Sequence, residues 1–237
     1  MRAYILLLLA LCHFEAQAQK LTENSVVKDS SGVVYPVAIW KALLMKGSYA
    51  LKAEDKDDPN TAFLLVRLTD SEKESRLGKM PPPDESKFFR KGEKITLGKV
   101  ADINGNKLDL KNNAGKITVI NFWFINCPPC RMEIPDLNDL ADKYGSDSVR
   151  FVAVALDEKY ALEKFLQDMP FRYHVIDNGG FLAQDYNIRS FPTHVILDQQ
   201  GKVYFHTTGL SVNTVYWMEK CIKELLHPAI TTIASAQ

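Results

Sequence analysis

An apolar run that stops at two cysteines limits what this chain can fold into. Residues 116–135 read Lys-Ile-Thr-Val-Ile-Asn-Phe-Trp-Phe-Ile-Asn-Cys-Pro-Pro-Cys-Arg-Met-Glu-Ile-Pro. The β-branched and aromatic residues of the first part specify a buried strand, and the Cys-Pro-Pro-Cys specifies a helix start. Pro128 and Pro129 fit only the first helical positions, where a missing N–H leaves no backbone bond unmade and φ is already near its helical value. Cys127 is therefore expected at a helix N-terminus, open to solvent on one side, with Cys130 one turn behind it.

That placement dictates a chemistry. Unsatisfied backbone N–H groups and the positive end of the helix dipole favour a thiolate, so Cys127 is the expected nucleophile and Cys130 the resolving thiol. Exchange runs through a mixed disulfide on Cys127, which Cys130 attacks to release a reduced substrate and leave a Cys127–Cys130 redox disulfide. Such a reaction needs neither a cofactor nor a metal. A zinc site would need two further ligands, yet Cys221 lies in an apolar helix, with no second CxxC and no close His pair. Haem attachment would need His after the second cysteine, where Arg131 stands. A purely structural bridge across so short a loop would gain little chain entropy.

Lys plus Arg and Asp plus Glu number 29 each, so no electrostatic footprint points to nucleic acid or an anionic membrane. Protein partners are the better expectation. Arg2, the apolar run from Tyr4 to Cys12, and Ala16-Gln17-Ala18 have the form of a secretory signal, placing residues 1–18 in a cleaved leader. The run is shorter than the roughly 20 residues that span a bilayer. No membrane span is thus expected after cleavage, and the mature chain is expected in the periplasm or extracytoplasmic envelope. Leu11 is bulky where a lipoprotein signal has a small residue, which argues against a lipid on Cys12. Of the four cysteines, Cys12 falls in the expected leader; an exported chain left with Cys127, Cys130 and Cys221 is no disulfide scaffold, so the CPPC pair reads as catalytic.

Residues 19–90 read as a small N-terminal α+β module and linker. A turn at Ser30-Ser31-Gly32 leads to a short strand at 33–35, a helix over 37–45 closed by Gly47, and paired strands at 49–52 and 62–68. The charged and then proline-rich stretch 69–83 reads as linker. The module carries no catalytic constellation and is assigned packing or partner binding.

Residues 91–228 form the second domain, and 229–237 a tail. Asn104-Gly105 predicts a hairpin within 97–110. The helix from Pro128 should run to Tyr144, stop at Gly145 and kink at Pro135. The continuous apolar run 149–156 fits a parallel central strand. Helices at 160–167 and 181–186 alternate with strands at 173–176, 193–197 and 203–207, giving a βαβ pattern. Ser211 is the expected cap of a last helix carrying Val215, Met218, Ile222 and Leu225, with Cys221 an inert buried thiol beside that face.

A CxxC after a strand in this context is a strong thioredoxin-like signal. Asn121-Phe122-Trp123 before the CPPC, Glu133 and Pro135 after it, Phe191-Pro192-Thr193, and Asp198 to Gly201 together resemble the thioredoxin-like disulfide reductases of the TlpA and ResA type, and more distantly the redoxin and alkyl-hydroperoxide-reductase group. The resemblance covers about residues 95–228. It implies an α/β thioredoxin-like fold, with a central mixed sheet flanked by helices. It also implies a cis Pro192 whose loop leaves backbone groups free for substrate, with Phe191, Thr193 and Trp123 on the substrate-binding side. In this type the Glu three residues past the second cysteine is the acidic group near the thiols. If withdrawn from water on the Cys130 face of the helix, Glu133 could accept the Cys130 proton; solvated, it would only favour the helix dipole. Asn121 stands where thioredoxins have a buried Asp. Asn126 precedes Cys127 where the family usually has a bulky residue, so substrate does not transfer by analogy. Thr193, His194 and His174 read as structural.

The expected function is an exported protein disulfide reductase acting on disulfide-bearing envelope proteins and recharged by a membrane-bound thiol electron donor. A disulfide oxidase or isomerase fits the same motif, since potentials of such pairs run from about −270 to −120 mV. A binding module on a thioredoxin fold is the non-enzymatic alternative.

Overall fold

The computed structural model describes residues 21–58, 60–111, 115–146 and 148–227. The expected leader with Cys12, and the tail 229–237, lie outside these residues. The chain divides into two compact units between Asp70 and Ser71.

In the first unit, β1 (Val27–Lys28) pairs parallel with β3 (Phe63–Arg67), which pairs antiparallel with β2 (Tyr49–Ala53). Helix α1 (Val37–Met45) buries Trp40 against Val27 and Leu65, a core of three buried side chains. The strand expected at 33–35 is reduced to one bridge between Val34 and Lys28. Its Val33 and Val34 are exposed, and Asp29 Oδ1 accepts the N–H groups of Ser31 and Val33, turning the chain before a strand can extend.

The expected linker 69–83 is helical over Asp70–Lys79 (α2). Glu72, Lys73, Glu74, Arg76 and Leu77 are good helix formers, Leu77 is buried, and Pro81 follows the end. Phe89, placed by sequence in the N-terminal segment, lies instead in the core of the second unit with Ile95 and Leu97. Its burial draws the chain from 84 onward into that unit.

The second unit is built on a mixed five-stranded sheet. After a separate hairpin of β4 (Gly98–Ala101) and β5 (Lys107–Leu110) come β6 (Ile117–Trp123), α3 (Pro128–Tyr144), β7 (Val149–Ala155), α4 (Lys159–Asp168), β8 (His174–Ile176), α5 (Gly180–Asp185), β9 (Thr193–Leu197), β10 (Val203–Thr208) and α6 (Thr214–Leu226). The spatial order is β10-β9-β6-β7-β8; β6, β7 and β8 run parallel, β9 pairs antiparallel with β6, and β10 antiparallel with β9. The β4–β5 turn is longer than the two-residue form suggested by Asn-Gly, because Asp102 Oδ1 accepts the N–H groups of both Asn104 and Asn106 and closes a five-residue loop.

All seven residues of β6 are buried, as a strand covered on both faces must be. Its alternation divides the core. Ile117, Val119 and Trp123 pack with α3 and α6 on one face, while Ile120 and Phe122 pack with Phe89, Leu182 and Val195 on the other. Each such large apolar side chain contributes roughly 1.5–3 kcal/mol on leaving water. Asn121 falls on the α3 face. Helix α3 runs over its expected span with Pro135 inside it and ends at Gly145, where an added Cβ would lie 2.6 Å from the Ala141 carbonyl oxygen. At α6 the cap position belongs to Asn213, not Ser211. The Ser211 hydroxyl instead donates to Asn213 Oδ1 at 2.7 Å, and Asn213 Nδ2 donates to the Pro81 carbonyl at 2.7 Å.

Candidate redox site

Strand β6 delivers the chain to the redox pair through Phe124, Ile125 and Asn126, and Cys127 takes the N-cap position of α3 in an extended conformation. Cys127 and Cys130 are joined by a disulfide. The Cys130 N–H, one of the free donors of the first helical turn, points at Cys127 Sγ from 3.3 Å. That is the arrangement in which helix N–H groups and the helix dipole stabilise negative charge on a sulfur. Cys127 is less open than its position at the helix start suggests: 3% of it is exposed, and it belongs to the core cluster against which Phe124, Ile125 and Phe191 pack, partly buried. Asn126 and Pro128, on either side, are exposed.

Two further segments shape the mouth. The Phe191–Pro192 peptide bond is cis, and the Phe191 ring meets Phe124 edge-on at 5.4 Å. The Pro192 carbonyl is not free, since it accepts the Gly209 N–H at 2.8 Å and the Thr208 hydroxyl at 3.3 Å. Asp157, just past the carboxyl end of β7, accepts the Ile125 N–H at 2.8 Å and ties the loop before Cys127 to the sheet. Thr193 and Trp123 are fully buried. Thr193 Oγ1 donates to the Ser190 carbonyl, and Trp123 packs on Phe165 and Phe171. Neither offers a surface to a substrate; both shape the scaffold behind the mouth.

Behind the disulfide lies a buried polar cluster. Glu133 is 3% exposed on the inner face of α3, next to β6 and β9. Its Oε1 accepts from Asn121 Nδ2 at 3.1 Å and lies 3.0 Å from His194 Nε2. The second contact is close, but the ring N–H is not aimed along it well enough to make a hydrogen bond, and Nε2 is otherwise unpartnered. Asn121 Nδ2 is also 3.3 Å from His194 Nδ1. Tyr173 borders the cluster: burial, and then the charge of Glu133, push its phenol well above the ordinary value. Among the described residues, no group of three or more His, Cys, Asp or Glu side chains converges as a metal site would require.

Of the residues singled out by sequence, Cys127 and Cys130 are joined at the start of α3, Phe191 is partly buried against the same core, Pro192 is buried, and Glu133 lies one turn past Cys130. His194, read as merely accommodated in its strand, is completely buried against Glu133. No local pattern marks it, since the contact depends on which strand lies beside β6. Asp157 was not singled out, although a carboxylate at the carboxyl end of a parallel strand could have been noticed from the βαβ order.

The chain has relatives with this chemistry. The AhpC/TSA family profile matches residues 92–206. Thiol-disulfide oxidoreductase ResA of Bacillus thuringiensis subsp. konkukian is 36% identical over 130 residues, which cover 52% of this chain and 75% of that protein. Sporulation thiol-disulfide oxidoreductase A of Bacillus subtilis is 30% identical over 106 residues, covering 43% of this chain and 64% of the relative. A crystal structure of a thiol:disulfide interchange protein, DsbE, from Chlorobium tepidum superposes with a TM-score of 0.54 at 27% identity, over 58% of this chain and 99% of its own. With 75% of a ResA protein matched at 36% identity, the chain belongs to the ResA-type thiol-disulfide oxidoreductases of the AhpC/TSA redoxin group.

Proposed function

We propose that this oxidoreductase is exported and reduces disulfides of extracytoplasmic envelope proteins, with a membrane-bound thiol donor restoring the Cys127–Cys130 dithiol. The observation that carries the reading is the Cys130 N–H aimed at Cys127 Sγ from the first turn of α3. In the reduced protein that donor holds Cys127 as the attacking thiolate. Cys127 then forms the mixed disulfide, and Cys130 displaces the client sulfur. Glu133 takes the Cys130 proton. Phe191 is the client-facing residue; Pro192 is buried and its carbonyl occupied, so backbone pairing with a client falls to Phe191. Trp123 and Thr193 act from beneath as scaffold. Export rests on the leader-like residues 1–18, with the first unit, up to Asp70, an accessory segment and the second unit the catalytic domain. Among the described residues, no helix is long and apolar enough to cross a membrane.

The test is trapping in the envelope. A Cys130→Ser variant of the full chain should accumulate mixed disulfides through Cys127, absent in a Cys127→Ser control, and the reduced wild-type protein should reduce insulin. Clients retained when both cysteines are replaced would favour a binding module. A Cys127–Cys130 potential near that of a strong oxidase, about −120 mV, would reverse the direction of electron flow.

A further inference from the structure

We propose that His194 is a positioning residue of the redox centre: with Asn121 it engages Glu133 through Oε1, so that Oε2 alone is left to receive the Cys130 proton. The inference rests on the oxidoreductase reading above and goes beyond it, because it assigns the direction of the proton and a role to a residue outside the CPPC helix.

The arrangement follows from strand register. Asn121 and His194 are Cα partners in the antiparallel pairing of β6 and β9, so their side chains leave the sheet on the same face. That face is covered by α3, where Glu133 sits one helical turn beyond Cys130. The hydrogen-bond pattern then fixes the protons. Asn121 Nδ2 carries only donors, so Nδ1 of His194, 3.3 Å away, is the acceptor, and the neutral ring bears its proton on Nε2. The opposite orientation of the amide would set its oxygen against the Glu133 carboxylate. Oε1 therefore accepts the Asn121 N–H at 3.1 Å and has the His194 Nε2 edge packed 3.0 Å from it, a close contact that is not a hydrogen bond.

Oε2 is buried and has no partner among the described residues. A carboxylate oxygen left bare in the interior is unfavourable. It is the oxygen still open to a hydrogen-bond donor. The other groups facing the cluster do not compete for this role. The Tyr173 phenol is held protonated by burial and by Glu133, and Asn121 does not titrate. Cys127 has the helix N–H instead.

In resolution the Cys130 S–H bond breaks as an O–H bond forms on Oε2, and the freed sulfur pair attacks Cys127 Sγ. The Cys127–client S–S bond breaks, and the client sulfur leaves as a thiolate with the bonding pair. The client is reduced, the Cys127–Cys130 pair is oxidised, and the proton stays on Glu133 until solvent collects it. With His194 removed, Oε1 loses the ring edge packed 3.0 Å from it, and the carboxyl can turn about its remaining bond to Asn121.

The reaction of the reduced full-length protein with 5,5′-dithiobis(2-nitrobenzoate) separates the two thiols. Attack by Cys127 releases one thionitrobenzoate, and resolution by Cys130 releases the second. His194→Leu should leave the first phase within about twofold and slow the second by about tenfold or more, as misplacement of a reacting group does. It should also displace the pH profile of the second phase. His194→Gln, which restores a donor near the Nε2 position, should recover most of the loss. Combined with Glu133→Gln, His194→Leu should add nothing further, because both act through one proton acceptor. If the Leu variant does not fold, His194→Met, which also lacks an N–H donor, decides: a second phase with wild-type rate and wild-type pH profile overturns the proposal. So does a His194→Leu second phase within twofold of wild type, or a loss additive with Glu133→Gln. If the wild-type protein itself releases no second thionitrobenzoate, the oxidoreductase reading falls and takes this proposal with it.

Discussion

Asp157 Oδ2 and the backbone N–H of Ile125 are 2.8 Å apart, joining the end of β7 to the loop that presents Cys127. A carboxylate that accepts a main-chain N–H contributes about 1.5–3 kcal/mol. Asp157→Ala should lower the unfolding free energy by an amount of that order, read as a lower urea midpoint at unchanged slope. Asp157→Asn keeps an acceptor oxygen and should lose less than half as much. An Ala variant with a wild-type midpoint would show that the loop holds its position without this bond.

Gly179 approaches β7 so closely that a Cβ built on it would lie 2.3 Å from Val154 Cγ1 and 2.9 Å from the Ala155 carbonyl oxygen. Its φ of −72° is open to any residue, so the constraint is space alone. Gly179→Ala should destabilise the protein by about 1–3 kcal/mol through overpacking against the sheet. The neighbouring Gly180→Ala, which meets nothing within 4 Å, should be neutral or slightly stabilising in the same thermal melt.

Cys221 is the free thiol among the described residues, and it is buried. Burial first, and the charge of Glu224 second, push it up to about 12, far from the thiolate that alkylating reagents need. Brief iodoacetamide treatment of the reduced native protein near pH 8 should therefore label Cys127 and spare Cys221. Denaturation should open Cys221 to the reagent. Mass spectrometry of the peptides distinguishes the two states, and rapid native labelling at Cys221 would contradict the burial.

His206, on β10, is 2% exposed, with both ring nitrogens unpartnered and the Glu85 carboxylate 3.8 Å from Nε2. Burial lowers its pKa, an effect that Glu85 partly opposes and Lys91 reinforces. The sign follows from linkage. The unfolded chain takes up the proton first as pH falls through the ordinary histidine value of about 6.5. Stability should then decline until the lowered folded-state value is passed, and level off below it. Urea midpoints between pH 7.5 and 5 should show that decline, and His206→Leu should flatten it. An unchanged slope in the variant would assign the acid sensitivity to other groups.

The parts legible in the sequence were those that local chemistry controls. Helix α3 begins at Pro128 because two prolines tolerate only a first turn, and it stops at Gly145. The apolar run of β6, bounded by turn residues, needed no partner to be read as a doubly covered strand. Errors arose where a local signal had a competitor. Asp29 side-chain bonds replaced the strand expected at 33–35, Asp102 side-chain bonds lengthened the Asn-Gly turn, and helix-forming charged residues over 70–79 read as linker because their company was polar.

Sequence alone determined that two sulfurs sit at the start of a helix following a buried strand, because proline and cysteine chemistry act within a few residues and need no distant contact. Tertiary structure decided what surrounds them. Asn121 and His194, 73 positions apart, meet only because β9 lies antiparallel to β6 in one register; a slip of one residue would turn His194 to the opposite face. Glu133 acquires its bare oxygen, and Cys127 its near-complete cover, from that same packing.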